Sequence, residues 1–350
     1  MAYTTINKSS EHFNTKLYTG NVSAGRSITG VGFQPDLVWN KIRSISGNHH
    51  WYDAVRGTQK FIRSNDNTAQ GTNGGTDGIT AFGTDGYTIG GNTGINANNE
   101  TYASWNWKAN GSGSANTVGS INSTVSVNTT SGFSIVKWTG DRSQTQTIGH
   151  GLGSIPKIII VKNLDVTQGW TIYSSEIGAN ERLVLNNTNA KGTCTACFGN
   201  TRPTDTVFTV GDDADTNGTG NNMIAYCFAE KTGYSKFGSY SGNGNVDGNF
   251  IYTGFKPAFF MQKRTDTAGN WAIFDNKRAN SFNEITACLE ANQSNVEQNN
   301  TGYNDVDFLS NGIKIREDNG DLNTNGGTYI YMAFAEAPLV GTNGVTAKAR

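Results

Sequence analysis

Apolar residues along this chain come in short runs, and most of the runs alternate. In Tyr102-Ala103-Ser104-Trp105-Asn106-Trp107 the side chains of Ala103, Trp105 and Trp107 fall on one face, opposite Ser104, Asn106 and Lys108. The same period of two recurs in Ile224, Tyr226, Phe228 and in Ile330, Met332, Phe334. Alternation over five to seven residues predicts strands with one side turned to a core. No segment of twelve or more residues carries a convincing helical period. Residues 55–62 and 284–291 fit either a short helix or a turn. Asp85-Gly86 and Asn311-Gly312 sit between short apolar runs, where hairpin turns belong.

The runs are copies of one another. A Gly-x-x-Pro step followed by an apolar run and a lysine occurs at Pro35, Pro156 and Pro257, ending at Lys41, Lys162 and Lys263. Each copy opens on an aromatic-rich strand with a glycine turn, at Gly20, Gly140 and Gly242. Each closes on one of the alternating strands above. Between them lies a tryptophan (Trp51, Trp170 or Trp271), then an aromatic (Tyr52, Tyr173 or Phe274). A proline that begins a strand keeps its missing N–H off the ladder. An internal repeat of this length sets the architecture before any residue chemistry is considered. The expectation is all-β: three tandem antiparallel β-sandwich, jelly-roll-like domains. Residues 1–12 form an N-terminal arm, 13–109 repeat 1, 110–131 a Gly/Ser/Asn/Thr linker or edge strand, 132–231 repeat 2, 232–336 repeat 3, and 337–350 a C-terminal tail.

Composition narrows the function classes. Charged residues make up 16% of the 350, with 44 glycines and 11% aromatics, and the formal net charge is -1. That balance offers no electrostatic case for nucleic acid or an anionic membrane. No long apolar span and no signal peptide are read, so membrane insertion and export are not expected. The four cysteines, Cys194, Cys197, Cys227 and Cys288, do not follow the repeat. Cys194-Thr195-Ala196-Cys197 has redox or zinc spacing, but without a second pair or a nearby histidine it reads as two incidental thiols in a reducing place of synthesis.

Candidate chemistry is sparse. The repeated tryptophans read as core rather than as sugar-stacking platforms, and Trp39 as a half-buried one. His49 and His50 read as a polar loop, and His150 as part of a glycine turn; no nucleophile–base–acid set emerges. Asp53 and Arg56 recur as Asp275 and Arg278 but become Ser174 and Ile177 in repeat 2, which suggests a local ion pair that holds a turn. Asp213, Asp215 and Asn217, echoed by Asp321, Asn323 and Asn325, place alternate oxygens before a glycine like the first half of a calcium loop. The bidentate glutamate is missing, Ile224 and Met332 standing in its place, and repeat 1 shows no such loop. An Asx turn is favoured; no cofactor is expected, with calcium the one candidate ion.

The strings Tyr18-Thr19-Gly20, Ile28-Thr29-Gly30-Val31-Gly32-Phe33-Gln34-Pro35-Asp36-Leu37-Val38-Trp39, Tyr52-Asp53-Ala54-Val55-Arg56-Gly57 and Asp85-Gly86-Tyr87-Thr88-Ile89-Gly90, with the closing strand through Ala109, make repeat 1 resemble an uncharacterised domain of virion proteins in marine and cyanobacterial tailed phages. The resemblance implies a place in a virion rather than an active site. The expectation is a noncatalytic structural protein of the tail or a tail fibre, oligomeric within the particle, docking to other virion proteins and contacting host surface glycans. A capsid decoration protein, using its three copies as a pseudo-trimeric clamp at a local threefold site, is the alternative. A polysaccharide depolymerase ranks last, because no carboxylate pair recurs at fixed separation.

Overall fold

A computed structural model describes residues 3–278, 283–300, 302, 304–341 and 346. The chain is built of antiparallel sheets, with the expected strands in place. Repeat 1 contributes the sheet Phe13–Thr19, Thr101–Trp107, Leu37–Ile42 and His49–Asp53, in that spatial order. Repeat 3 contributes Ser235–Ser241, Thr328–Pro338, Phe255–Arg264, Trp271–Asp275 and Leu289–Glu290 in the same order. Repeat 2 centres on Phe133–Thr139, Asn222–Ala229, Pro156–Asn163 and Trp170–Ser174. Each sheet is thus ordered opening, closing, proline and return strand. The prolines sit where the ladder slips: the register shifts beside Pro156 and Pro257, as a residue without a donor requires.

A second, smaller layer covers one face of each sheet. It comprises Arg26–Thr29, Gly86–Ile89 and Ile79–Gly83 in repeat 1, Gln146–Gly149 with Val207–Val210 in repeat 2, and Phe250–Tyr252, Gly312–Ile315 and Val306–Leu309 in repeat 3. Both expected hairpin turns are present, with Gly83 opposite Gly86 and Leu309 opposite Gly312. Gly86 takes a φ of 148°, and a Cβ there would lie 1.9 Å from the Ile28 carbonyl oxygen, so only glycine fits.

Residues 110–131 are more than a linker. Ser114–Asn116 and Ser123–Asn128 pair in sequence onto Phe133–Thr139, extending the repeat 2 sheet by two strands. The segment has enough threonine and valine to form a ladder once an edge is offered. The N-terminal arm is also docked: Ile6 is buried, and the Tyr3 hydroxyl donates to the Gly254 carbonyl at 2.6 Å. Neither uncertain segment is helical. Residues 60–61 and 289–290 form short strands, and Ile62 bridges Trp51. Most of the C-terminal tail lies outside the described residues.

The hydrophobic interior departs most from three separate sandwiches. Each repeat has a core of its own between its two layers, for example Val136, Ile159, Tyr173, Phe208 and Ala225 in repeat 2. The opposite face of every main sheet is equally buried. Trp39, Trp51, Trp105 and Trp107 of repeat 1 join Ile160, Trp170, Tyr226 and Phe228 of repeat 2 and Phe259, Met261, Trp271 and Phe334 of repeat 3 in one continuous core. All three copies therefore turn their alternating aromatic faces toward each other. Leu37–Ile42 is buried at all six positions because it is covered on both sides.

Candidate functional site

The polar groups that close this shared core repeat from seam to seam. Lys162 of repeat 2 donates from Nζ to the Asn67 carbonyl of repeat 1 at 3.2 Å. Lys263 of repeat 3 donates to Thr188 of repeat 2 at 3.2 Å, and Lys41 of repeat 1 to Asn295 of repeat 3 at 2.9 Å. Backbone bonds flank each lysine: Gln70 N to Leu164 O and Gln168 N to Asn67 O, then Lys191 N to Thr265 O and Gly269 N to Thr188 O, then Glu297 N to Arg43 O and Gly47 N to Ser294 O, all between 2.8 and 3.0 Å. The backbone bonds use equivalent atoms at all three seams. Lys41 reaches the counterpart carbonyl, that of Ser294, at 3.5 Å and bonds more closely to the next one. The third seam joins the last repeat to the first. The chain closes on itself as a ring with pseudo-threefold order.

The lysine that ends each proline strand is thus a seam residue. Burial lowers each ammonium, at Lys41, Lys162 and Lys263, to about 8. The unfolded chain holds those protons up to the ordinary 10.5, so the cost of burying the charge is present below about 8 and is relieved as pH rises toward 10.5. Carbonyl oxygens compensate the buried donor, one set from the neighbouring copy and one from its own, at Ile42, Gln168 and Arg264.

Strand register corrects the alignment of the tryptophans. Lys162 faces Trp170 and Lys263 faces Trp271, but Lys41 faces His49. Trp51 therefore corresponds to Ile172 and Ile273, and His49 stands where the other copies carry tryptophan. It performs the same task. Trp170 Nε1 donates to Arg63 O at 2.8 Å, Trp271 Nε1 to Val184 O at 3.0 Å, and His49 Nε2 to Glu290 O at 3.1 Å. Trp39 Nε1 donates to His49 Nδ1 at 2.8 Å, so the imidazole is neutral with its proton on Nε2. His49 and Trp39 are both buried, which corrects the polar-loop and half-buried readings.

Burial, helped by the nearby Lys41 charge, holds His49 well below the ordinary 6.5, and burial and Arg63 bring His50 down to about 3. Below 6.5 the unfolded chain takes up protons that the folded chain refuses, so stability falls as pH drops. Each histidine is expected to cost up to about 1.4 kcal/mol per pH unit. Urea midpoints measured between about pH 6.5 and 5 should show that slope, and His49→Gln should reduce it by the share of one histidine, since an amide accepts and donates without titrating.

The Asp-x-x-Arg turns are buried ion pairs. Arg56 Nε meets Asp53 Oδ2 at 2.5 Å and Arg56 Nη2 donates to Trp51 O at 2.9 Å. Arg278 repeats this with Asp275 at 2.5 Å and Ile273 O at 2.8 Å. Each aspartate also reaches across a seam. Tyr226 of repeat 2 donates to Asp53 at 2.7 Å, and Trp105 of repeat 1 to Asp275 at 2.8 Å. The register makes Met332 the counterpart of Tyr226 and Trp105, and Ser174 the counterpart of Asp53. Acceptor and donor have been lost together at the seam between repeats 2 and 3. Burial opposes ionisation of Asp275, but Arg278 holds it below the ordinary carboxylate value.

The calcium-like loops are capping turns. Asp213 caps the short helix Ala214–Asn217, accepting from Asp215 N at 2.8 Å, and Asp215 pairs with Arg182 at 2.5 Å. Buried Asn217 accepts from Asp141 N and donates to Ser143 O. Asn323 does the same with Asn243 N and Asn245 O, and Asp321 accepts from Asn270 N at 3.0 Å. Asn325 is exposed. Repeat 1 does contain the equivalent turn: Asn92 caps Thr93–Asn96, and buried Asn96 accepts from Asn21 N and donates to Ser23 O. A glycine and an asparagine in place of the aspartates hide it in the sequence. The oxygens of this motif are spent on the chain's own amides and arginine.

Cys194 and Cys197 are a disulfide, not two incidental thiols. The turn that bonds Cys197 N to Cys194 O brings their Cα atoms to 5.4 Å. Asp213 lies beside Cys194 Sγ at 3.6 Å, but sulfurs bonded to each other are not thiolate ligands. So short a loop removes little chain entropy, and reduction is expected to cost no more than about 2 kcal/mol in a urea titration with and without reductant. His150 is structural too, its Nδ1 accepting from Leu152 N and its Nε2 donating to Thr204 O.

No curated protein and no solved structure matches the chain. A single family model, described as a domain of unknown function, runs unbroken through all three repeats from residue 8 to residue 338. By that match the chain belongs to the DUF7483 family.

Proposed function

We propose that this protein is a noncatalytic structural component of a tailed-phage particle, carried on the tail or a tail fibre, where it docks to other virion subunits and presents loops to host surface glycans. The observation that carries the reading is the closed ring. Three copies of one module are locked to each other by buried lysines, a shared aromatic core and the bonds of Tyr226 and Trp105 to the buried aspartates, which suits a rigid spacer better than a moving catalyst. The repeat 1 strings supply the virion context by resemblance. His49, His150 and both Asp–Arg pairs are committed to buried internal bonds.

The pseudo-threefold order of the seams favours a second reading, decoration of a head, where one chain would clamp a local threefold site. Cryo-electron microscopy of the particle separates the two. Density on tail or fibre is the expected result, density on the capsid lattice replaces it with the clamp, and a purified particle lacking the chain removes both.

A further inference from the structure

One of the three capping turns lacks an acid that the other two carry, and it is the one that borders a cleft. Gly94, Asp215 and Asp321 each stand two residues before the buried asparagine of their turn. In repeat 2 the Asp215 carboxylate fills the space beneath the turn, bonded to Arg182 at 2.5 Å and to Thr171 Oγ1 at 3.5 Å. In repeat 3 Asp321 is tied to the Asn270 amide. Repeat 1 has no side chain there. Its turn borders a cleft of about 400 Å³, within the range of small-ligand sites.

The lining is suited to one class of ligand. His50, at the ladder position of Thr171, and Phe61, at that of Arg182, form the floor. Arg63, the one charged residue of the lining, stands over the Phe61 ring at 5.1 Å. Among the described residues its Nε is buried with no partner, as is His50 Nδ1, and Arg63 forms an ion pair with Asp66 at 3.6 Å. Asn48 and Asn92 add amides at the rim, and Ile42 and Ile45 an apolar side. Repeat 1 thus lacks the internal carboxylate that repeat 2 uses at this place, and at the Val184 position it carries a guanidinium beside an aromatic wall.

We propose that the repeat 1 cleft binds a carboxylate-bearing sugar, a hexuronate or its like. Arg63 meets the carboxylate. The neutral His50 and the two asparagines offer donors and acceptors to ring hydroxyls, and Phe61 and the isoleucines face the C–H surfaces of the ring. The proposal rests on the glycan-contacting part of the function above. Sugar binding by the isolated chain and mounting of the chain on a particle are separate measurements, so either can fail alone.

The test is a titration of the full chain with glucuronate, followed by NMR on backbone and side-chain amides. The expected result is saturable shifts at Asn48, Phe61, Arg63 and Asn92, with a Kd on the order of 1 mM. Glucose and acetate should each bind at least about tenfold more weakly, and Arg63→Gln should weaken glucuronate by about tenfold or more. A double variant, H50T with G94D, places a carboxylate of the chain's own at the Asp215 position, beside the cleft, and should abolish binding. H50T accompanies G94D because a Cβ at residue 94 would lie 2.7 Å from the His50 ring. Thermal midpoints show which variants fold, and Arg63→Gln, half-exposed, decides if the double variant does not. Acetate binding as well as glucuronate would reduce the cleft to a bare anion site and overturn the proposal. Equal binding of glucose, shifts elsewhere on the surface, or no saturation would overturn it too.

Discussion

Replacing Asp53 with serine is expected to destabilise the protein by about 3–5 kcal/mol, the cost of leaving one member of a buried ion pair alone. Arg56 would keep its charge in an interior position 4% exposed, and Tyr226 would lose the oxygen that its hydroxyl reaches across the seam. The seam between repeats 2 and 3 shows the remedy, since Ser174, Ile177 and Met332 occupy the equivalent places there without charge. The triple variant Asp53→Ser, Arg56→Ile, Tyr226→Met should therefore recover most of the loss, because replacing a whole buried network with apolar groups is often close to neutral. Urea midpoints of the single and triple variants decide it. A triple variant no more stable than the single would mean that the pair is not exchangeable with its apolar counterpart.

The second large effect concerns the repeats themselves. A fragment of residues 13–109 is expected not to fold as a stable monomer, although it contains a complete pair of layers. Taken out of the ring it would expose Trp39, Trp51, Trp105 and Trp107 on one sheet face, and aromatic patches of that kind drive association. Calorimetry of the whole chain should correspondingly give a single transition, with a calorimetric to van't Hoff enthalpy ratio of about 1 rather than about 3. A soluble monomeric fragment with a cooperative melt would show that the common core contributes little.

Much of this architecture was legible in the chain. Proline, glycine and alternation are local signals, and they placed the main strands, both hairpin turns and the repeat. The partners of the alternating faces were not legible, because alternation assigns a face and not what covers it. Leu37–Ile42 carries no alternation at all, being buried on both sides. The tryptophans misled for a related reason. Aligning on the most conspicuous residue matched Trp51 with Trp170, whereas counting back four residues from Asp53, Ser174 and Asp275 puts His49 with Trp170 and Trp271. The asparagine turn of repeat 1 was hidden because the eye followed aspartates, while the shared element is the buried amide at Asn96, Asn217 and Asn323. The repeat 1 cleft had no sequence signal beyond the absence of an acid at Gly94, which becomes meaningful once the three turns are superposed by their bonds.

The paired loss of Asp and donor at one seam has a consequence for how such a ring can change. In an assembly of three identical chains every substitution appears at all seams at once, so an ion pair is kept everywhere or lost everywhere. Here each seam is encoded separately. Ser174 with Met332 stands beside Asp53 with Tyr226 in one molecule, and a single turn can forgo its acid without weakening the other two. Joining the copies in one polypeptide turns a symmetric scaffold into one whose corners can be given different work.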